Sequence, residues 1–227
     1  MSFLDHLIFP IQCPACEAQS RSFCALCRSE VKRWEPASCN RCGSDVGESC
    51  FCSRLPDAVE RIDSLWRFDG PVADVLEYAK YRGELWRLTC IEREVAGWLG
   101  GIVGWGPIDL ISVPPGRRRL RERGFDLPRI LVGFARSFPG ARDRSGALRR
   151  RFDAPRQSVS SRTERFEQVE GAFVAKRLSG RPLLLIDDVL TTGATACACV
   201  TALALAGARD IRVATLARTP RRDLALQ

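Results

Sequence analysis

Four apolar residues, Leu183 to Ile186, run without a polar break into Asp187 and Asp188, and Thr191-Thr192-Gly193-Ala194-Thr195 follows after Val189 and Leu190. A short apolar run with no alternation reads as a strand buried on both faces, as in a parallel sheet covered by helices. Two carboxylates are too costly to bury unpaired, so they mark a strand end that faces a cavity or solvent. There they can accept hydrogen bonds from a vicinal diol. The next turn supplies hydroxyl donors, and its glycine lets backbone come close to a ligand. The helix predicted from Thr195 to Ala206 aims its first N–H groups at an anion. Diol on the acids and phosphate on the turn describe a site for ribose 5-phosphate. No GxxxxGK[ST] run occurs, which excludes a Walker-type loop.

The rest of the chain supplies the sheet that such a strand needs. Asp63 to Asp69 reads as a strand ending at Gly70-Pro71, and Val72 to Tyr81 carries apolar residues at helical spacing. Leu88 to Leu99 repeats that spacing, with Gly100-Gly101 as its stop. Asp109 to Val113 is a short strand, ended by Pro114-Pro115-Gly116. Leu127 to Phe138 is a further helix, and Ile211 to Leu216 a further strand. Residues 141–170 are basic and polar and read as a mobile loop or flap. Strand, helix and strand in this order imply parallel crossovers. The expected body is a doubly wound α/β sheet, with ligands beyond the carboxyl ends of its strands. The loops at 187–195 and 114–126 then share one rim.

Eight of the 11 cysteines lie between Cys13 and Cys52. Their spacing is Cys13-x2-Cys16-x7-Cys24-x2-Cys27, then Cys39-x2-Cys42-x7-Cys50-x1-Cys52. Two near-identical sets of four fit two tetrahedral all-thiolate zinc sites, closed and therefore structural. Sequential and interleaved pairings are both open, and one site or both can be occupied. Disulfides are the alternative, disfavoured in a reducing compartment. Arg21, Arg28, Lys32, Arg33 and Arg41 are near enough in sequence to offset the thiolate charge. Cys90, Cys197 and Cys199 sit at apolar helix positions and read as small core residues. His6 reads as a surface residue. Residues 1–56 thus form a small N-terminal Cys-rich zinc module and 57–227 the α/β domain.

Net charge is +8, and of 35 basic residues only Lys32, Lys80 and Lys176 are lysines. Arginine forks suit phosphate oxygens. Between Val113 and Asp126 stand Arg117, Arg118, Arg119, Arg121 and Arg123, with Glu122 as the single counter-charge among them. On the ligand rim this is a place for a second anion; the alternative is a solvated helix turn. MSFLDHLIFP lacks the basic start and unbroken apolar run of a signal peptide, and no apolar stretch nears the roughly 18–20 residues that span a bilayer. A cytoplasmic protein with no membrane insertion is expected.

Leu183–Thr195 resembles, at all thirteen positions, the phosphoribosyl pyrophosphate signature of type I phosphoribosyltransferases. Ser112–Asp126 (SVPPGRRRLRERGFD) is similar to the VP…RR..RGFN segment of the ComF family, a phosphoribosyltransferase-like group with a member in natural competence. Ala79–Gly83 (AKYRG) resembles that family's K-Y-x-G turn, and Gln157–Phe173 its Q-x-x-L-S…A-F stretch. Departures are Asp126 for Asn, Leu127 for Gln, Val159 for Leu and Gln168 for Asn.

The resemblance implies a type I phosphoribosyltransferase-like fold preceded by a double zinc ribbon. It implies that Asp187 and Asp188 serve as the catalytic acids, binding the ribose hydroxyls. Val189, Thr191, Thr192, Gly193, Ala194 and Thr195 would hold the 5-phosphate. Pyrophosphate, with Mg²⁺, would lie on the loop of Pro114, Pro115, Arg117 and Arg118, with Lys80 and Arg123 nearby. Pro114 or Pro115 could follow a cis bond. Residues near 141–165 would close over the substrate. Two functions remain open at this point. One is Mg²⁺-dependent phosphoribosyl transfer from phosphoribosyl pyrophosphate to an unknown acceptor. The other is a non-catalytic module that assists single-stranded DNA uptake beside competence-machinery proteins. For the second, the arginine clusters at 117–123 and 142–151 suit phosphate backbones, although stacking aromatics there are few: Phe125, Phe138 and Phe152.

Overall fold

The computed structural model describes residues 11–35, 39–44, 50–104, 106–153, 162–178 and 180–220. Its centre is a five-stranded sheet of β1 (Val59–Arg67), β2 (Ile108–Ser112), β3 (Ala141–Asp143), β6 (Leu183–Leu190) and β7 (Ile211–Arg218). Every pairing in it is parallel, in the order β1-β7-β6-β2-β3. A two-stranded antiparallel ribbon, β4 (Leu148–Arg150) with β5 (Phe173–Ala175), stands beside it.

Helices cover both faces. Leu184 and Ile186 point to one side, where they meet α2 (Gly70–Arg82), α3 (Trp86–Val103) and α5 (Leu127–Ala135) through Leu76, Leu88, Leu99 and Leu131. Leu183 and Leu185 point to the other, against α7 (Ala194–Leu205) through Cys197, Val200 and Leu203. All four strand residues are essentially inaccessible, which accounts for the unbroken apolar run. The α/β doubly wound class is therefore the observed one.

The two Gly residues at 100–101 do not stop α3. It continues to Val103, and Gly104 caps it with φ +64°. Gly100 is a packing residue, because a Cβ there would lie 2.6 Å from the Phe138 ring. The helix from Leu127 ends earlier than its apolar pattern suggests, at Ala135. The stretch expected as a loose flap is largely built: β3 joins the main sheet, and the buried Ser145 hydroxyl accepts the Ser112 N–H at 3.0 Å. Short strands of three residues carry too little periodicity to be seen in sequence. Helix α6 (Arg162–Val169) follows, and residues 154–161 of the proposed flap lie outside the described residues.

The cysteine-rich segment interlocks with this body. Residues 32–34 run antiparallel to the outer edge of β1: Trp34 N–H donates to Leu65 O at 3.1 Å and Arg67 N–H to Lys32 O at 2.9 Å. An edge strand is thereby covered rather than left to pair with another chain. The first half, with α1 (Ala25–Glu30), places Cys13, Phe23 and Cys27 in the core of the α2/α3 face, Phe23 meeting Trp66 edge-on at 6.1 Å. The second half places Cys42, Phe51 and Leu55 in the core of the α7 face.

Two buried arginines fasten the halves. Arg87 donates to Pro14 O at 2.6 Å and pairs with Glu84 and Glu17. Arg218, at the end of β7, donates to Cys42 O and Ser44 Oγ, both at 2.6 Å. Breaking the buried Arg87 pairs would cost about 3–5 kcal/mol, and each charged hydrogen bond of Arg218 contributes about 1.5–3 kcal/mol, so these contacts hold the segment firmly.

Candidate functional site

β2 ends at Ser112, opposite Ile186, whereas β6 runs on to Leu190 paired with β7 alone; Asp187 and Asp188 therefore lie within the strand, just past the end of β2, and not at the strand end their charge suggested. From β6 the chain crosses toward β1, through α7 to β7. From β2 it crosses the other way, to β3. This is the topological switch point at which open α/β sheets bind ligands. The loops at 113–116 and 191–193 open onto it, so the two anion-binding loops expected from sequence do share one rim.

On the β6 side, Asp188 N–H donates to Asp187 Oδ1 at 2.8 Å. Lys80, at the end of α2, reaches Asp188 Oδ2 at 3.0 Å with both side chains largely buried. Burial, then the neighbouring Asp188 charge, pushes the Asp187 carboxyl up to about 7, against a smaller opposing pull from Lys80. Gly193 takes φ +86° as the residue before α7, and Thr192 Oγ1 accepts the Ala194 N–H at 3.4 Å. Thr191 is exposed, Val189, Thr192 and Thr195 are partly so, and Gly193 and Ala194 are buried. The turn is thus backed by protein below and open above.

On the β2 side, Pro114 and Pro115 are half-buried and their bonds are trans. Arg117, Arg118, Arg119 and Arg121 lie exposed on the short helix α4 (Arg117–Arg123). Arg118 is held by Glu122 at 2.7 Å, and the Arg123 guanidinium sits 5.3 Å from the centre of the exposed Tyr81 ring. Lys80 and the arginine helix are therefore brought to the same rim by neighbouring segments.

Asp126, one of the departures from the ComF pattern, has a local role. Its side chain caps α5, accepting Arg129 N–H at 3.1 Å. Aspartate and asparagine serve almost equally there. Burial raises its pKa, and the charge on Asp188 adds to the rise.

Three site residues escaped the sequence reading. Arg150, from β4, is largely buried and lies close enough to Asp187 and Arg119 to feel both charges; burial is the main cause of its lowered pKa. In sequence it is one arginine among three in a row. Asp153 places a carboxylate oxygen against Gly116, 2.4 Å from where a Cβ would stand, and accepts Arg118 N–H at 3.3 Å. A carboxylate therefore already occupies the space above Gly116 and holds the first free N–H of α4. Phe51 packs beneath Gly193.

The cysteines form two sequential sets, Cys13/Cys16/Cys24/Cys27 and Cys39/Cys42/Cys50/Cys52, each with its sulfurs within 4.8 Å of one another. This excludes the interleaved pairing. Sulfur separations of 3.6 Å for Cys16–Cys24, 3.7 Å for Cys42–Cys50 and 3.8 Å for Cys39–Cys50 lie near the tetrahedral edge of about 3.8 Å that zinc–sulfur bonds of about 2.3 Å require. They are far from a disulfide length of about 2.05 Å, and all the cysteines are free. The donor set fits Zn²⁺. Burial opposes a Cys42 thiolate, but the Ser44 hydroxyl and the Phe51 and Ser44 N–H groups outweigh it and bring that thiol down to about 6. The basic residues nearby serve structure more than charge balance: Arg28 and Arg33 pair with Glu94, and Arg41 donates to the carbonyls of Val59, Cys52 and Pro56.

Sheet, loops and thiolate clusters together define a phosphoribosyltransferase-like α/β protein with an N-terminal double zinc ribbon. Residues 4–55 match the family model described as a double zinc ribbon domain. The DNA utilization protein YhgH of Escherichia coli K12 is 27% identical over 208 residues, covering 86% of this chain and 90% of that protein. Its Salmonella typhi counterpart matches equally, at 27% over 208 residues. A ribose-phosphate pyrophosphokinase of Mesorhizobium japonicum is 31% identical over 116 residues, 51% of this chain and 37% of that enzyme. The chain is homologous to the YhgH proteins over most of its length. Among the described residues, no helix is long and apolar enough to cross a membrane.

Proposed function

We propose that the protein binds phosphoribosyl pyrophosphate with Mg²⁺ in the crevice between β6 and β2 and transfers the phosphoribosyl group to an acceptor. One observation carries the reading: Asp187, Asp188, Lys80 and the Thr191–Thr195 turn converge on the switch point opposite the arginine-bearing loop. The partial likeness to a ribose-phosphate pyrophosphokinase supports it, since that enzyme's name specifies the same phosphorylated sugar.

In this reading Asp187 and Asp188 accept the ribose hydroxyls and the turn's N–H groups and hydroxyls receive the 5-phosphate. Arg117, Arg118 and the backbone after Pro115 receive the pyrophosphate. Mg²⁺ suits carboxylate and phosphate oxygens together, and Asp187 and Asp188 are the residues that fit it. Held there, the ion would supply charge neutralisation for pyrophosphate as a leaving group. The C1–O bond to pyrophosphate breaks as the acceptor's lone pair forms the new bond at C1. The two acids stabilise the positive charge that develops on the sugar.

Millimolar phosphoribosyl pyrophosphate with Mg²⁺ should raise the melting temperature, and Asp187→Asn with Asp188→Asn should abolish the rise. No rise in the unsubstituted protein would remove the reading.

A second reading is handling of single-stranded DNA beside competence-machinery proteins. It is favoured by the name of the relatives, DNA utilization protein. Exposed arginines on α4 and the exposed Tyr81 beside Arg123 supply phosphate contacts and a stacking face. Binding to a single-stranded oligonucleotide should weaken steeply with salt. Salt-insensitive or absent binding would remove this second reading.

A further inference from the structure

Phe51 is the residue between two cysteines of the second zinc set, Cys50 and Cys52. Its N–H is directed at the sulfur of a third, Cys42. Its ring, 3% exposed, lies in the core of the α7 face. A Cβ built on Gly193 would stand 2.7, 2.8 and 2.9 Å from three atoms of that ring. The ring edge therefore abuts the backbone of the turn at the residue that begins α7. Phe166 of α6 lies 6.5 Å away and the Arg218 guanidinium 6.0 Å away, between ring and strand β7. Arg218 also holds the carbonyl of Cys42 and the hydroxyl of Ser44. Among the described residues, nothing comparable joins the first set to the turn: Cys13, Phe23 and Cys27 pack on the opposite face, against Trp66 and the α2/α3 core.

We infer that Phe51 is a positioning residue for the phosphate-binding turn, and that metal in the second zinc site, not the first, sets the turn's affinity for a phosphorylated sugar. The physical basis is preorganisation. N–H groups that receive an anion are effective when they already point at it. A turn with φ +86° at Gly193 has many competing conformations. The ring removes those that move Gly193 toward the core. The ring is itself anchored by its two flanking cysteines, which a bound ion would lock into one tetrahedral cluster with Cys39 and Cys42. Gly193 is fixed by this contact as well as by its φ.

The inference rests on the reading that the turn binds a ribose phosphate, and the experiment separates the two. Full-length zinc-loaded protein is compared with Phe51→Ala, Phe51→Leu, Cys50→Ser and Cys16→Ser. Zinc per chain, the dissociation constant for phosphoribosyl pyrophosphate with Mg²⁺ by calorimetry, and amide hydrogen exchange over residues 191–197 are measured on the folded fraction of each.

Phe51→Ala and Cys50→Ser should weaken binding by between about tenfold and a hundredfold, the cost of small misplacements in a preorganised site. They should also speed exchange over 191–197 relative to 184–186. Cys16→Ser, which loses only the first ion, should bind within about twofold of the unsubstituted protein. Phe51→Leu keeps the apolar volume and should fall between, which keeps the test open if Phe51→Ala does not fold. A role in stability alone would lower the melting temperature and leave affinity and local exchange unmoved, and that outcome overturns the inference. If the unsubstituted protein binds no phosphoribosyl pyrophosphate, the proposed function fails by itself. The exchange data then decide, and unchanged exchange in Phe51→Ala overturns the inference.

Discussion

Asp187→Asn should make the protein more stable at pH 8 while removing its ligand. In the fold, burial and then Asp188 raise the Asp187 carboxyl from an ordinary value of 3.8 to about 7. Below pH 3.8 it is neutral in both folded and unfolded chains and contributes no difference. Between 3.8 and 7 the folded chain holds a proton that the unfolded chain has lost, so stability falls as pH rises. Above 7 the penalty is complete. Each pH unit in that window is worth about 1.36 kcal/mol. The penalty therefore grows by about 2–3 kcal/mol between pH 5 and pH 8. Solvent at the rim screens the charge, so this is an upper bound. Asparagine carries no charge and can still accept the Asp188 N–H that Asp187 accepts at 2.8 Å. Urea unfolding at pH 5 and pH 8, for both proteins, gives the comparison. The gap in favour of Asp187→Asn should widen by about 1–3 kcal/mol from pH 5 to pH 8. Over the same range the unsubstituted protein should bind phosphoribosyl pyrophosphate about tenfold more tightly at pH 8 than at pH 6, as the carboxylate forms. A gap that does not change with pH would refute the view that Asp187 is held in a site costly for its charge.

Asp153→Asn should tighten phosphoribosyl pyrophosphate binding by about fivefold in calorimetry, because it removes a carboxylate from Gly116 and Arg118 N–H that the incoming anion must displace. Asp126→Asn should leave stability within about 0.5 kcal/mol, since either residue caps α5, whereas Asp126→Ala should cost about 1 kcal/mol in denaturant unfolding. Arg87→Met should cost about 3 kcal/mol by the same assay, as it strands Glu84 and the Pro14 carbonyl and loosens the first zinc set. Colorimetric titration after thiol modification should release two zinc ions per chain, and chelation should lower the melting temperature.

The β6 side of the candidate site was legible because it is written contiguously. Leu183–Ile186 are buried on both faces, the acids follow at once and the turn opens a helix, so thirteen consecutive residues define strand, acids and turn. The cysteine spacing was legible for the same reason, down to two sets of four; only distances between sulfurs could decide which four. What was not legible depends on approach between distant segments. Gly100 read as a helix stop because glycine favours ends, but the Phe138 ring against it makes smallness the requirement. The basic run at 149–151 gave no hint that Arg150 alone turns inward, because a three-residue strand has no period to read. Asp126 stood in sequence only as a departure from the ComF pattern, and it proves to be a helix cap that asparagine would serve as well.

The double zinc ribbon also changes meaning once it is seen in place. A cysteine-rich segment ahead of an enzyme-like domain suggests a detachable adaptor, free to dock elsewhere. Here its first half contributes Phe23 and Cys27 to one face of the sheet and its second half contributes Phe51 and Leu55 to the other. Between them, residues 32–34 close the edge of β1. A module that supplies core to both faces cannot swing away without exposing apolar surface on both, at roughly 25 cal/mol for each Å² uncovered. Whatever the ribbon recognises must therefore be recognised by the assembled protein. The face it offers is the exposed one, with Leu26, Arg28 and Arg33 on the first half. Its inner face is already committed, through Phe51 and Gly193, to the loop that defines the candidate site.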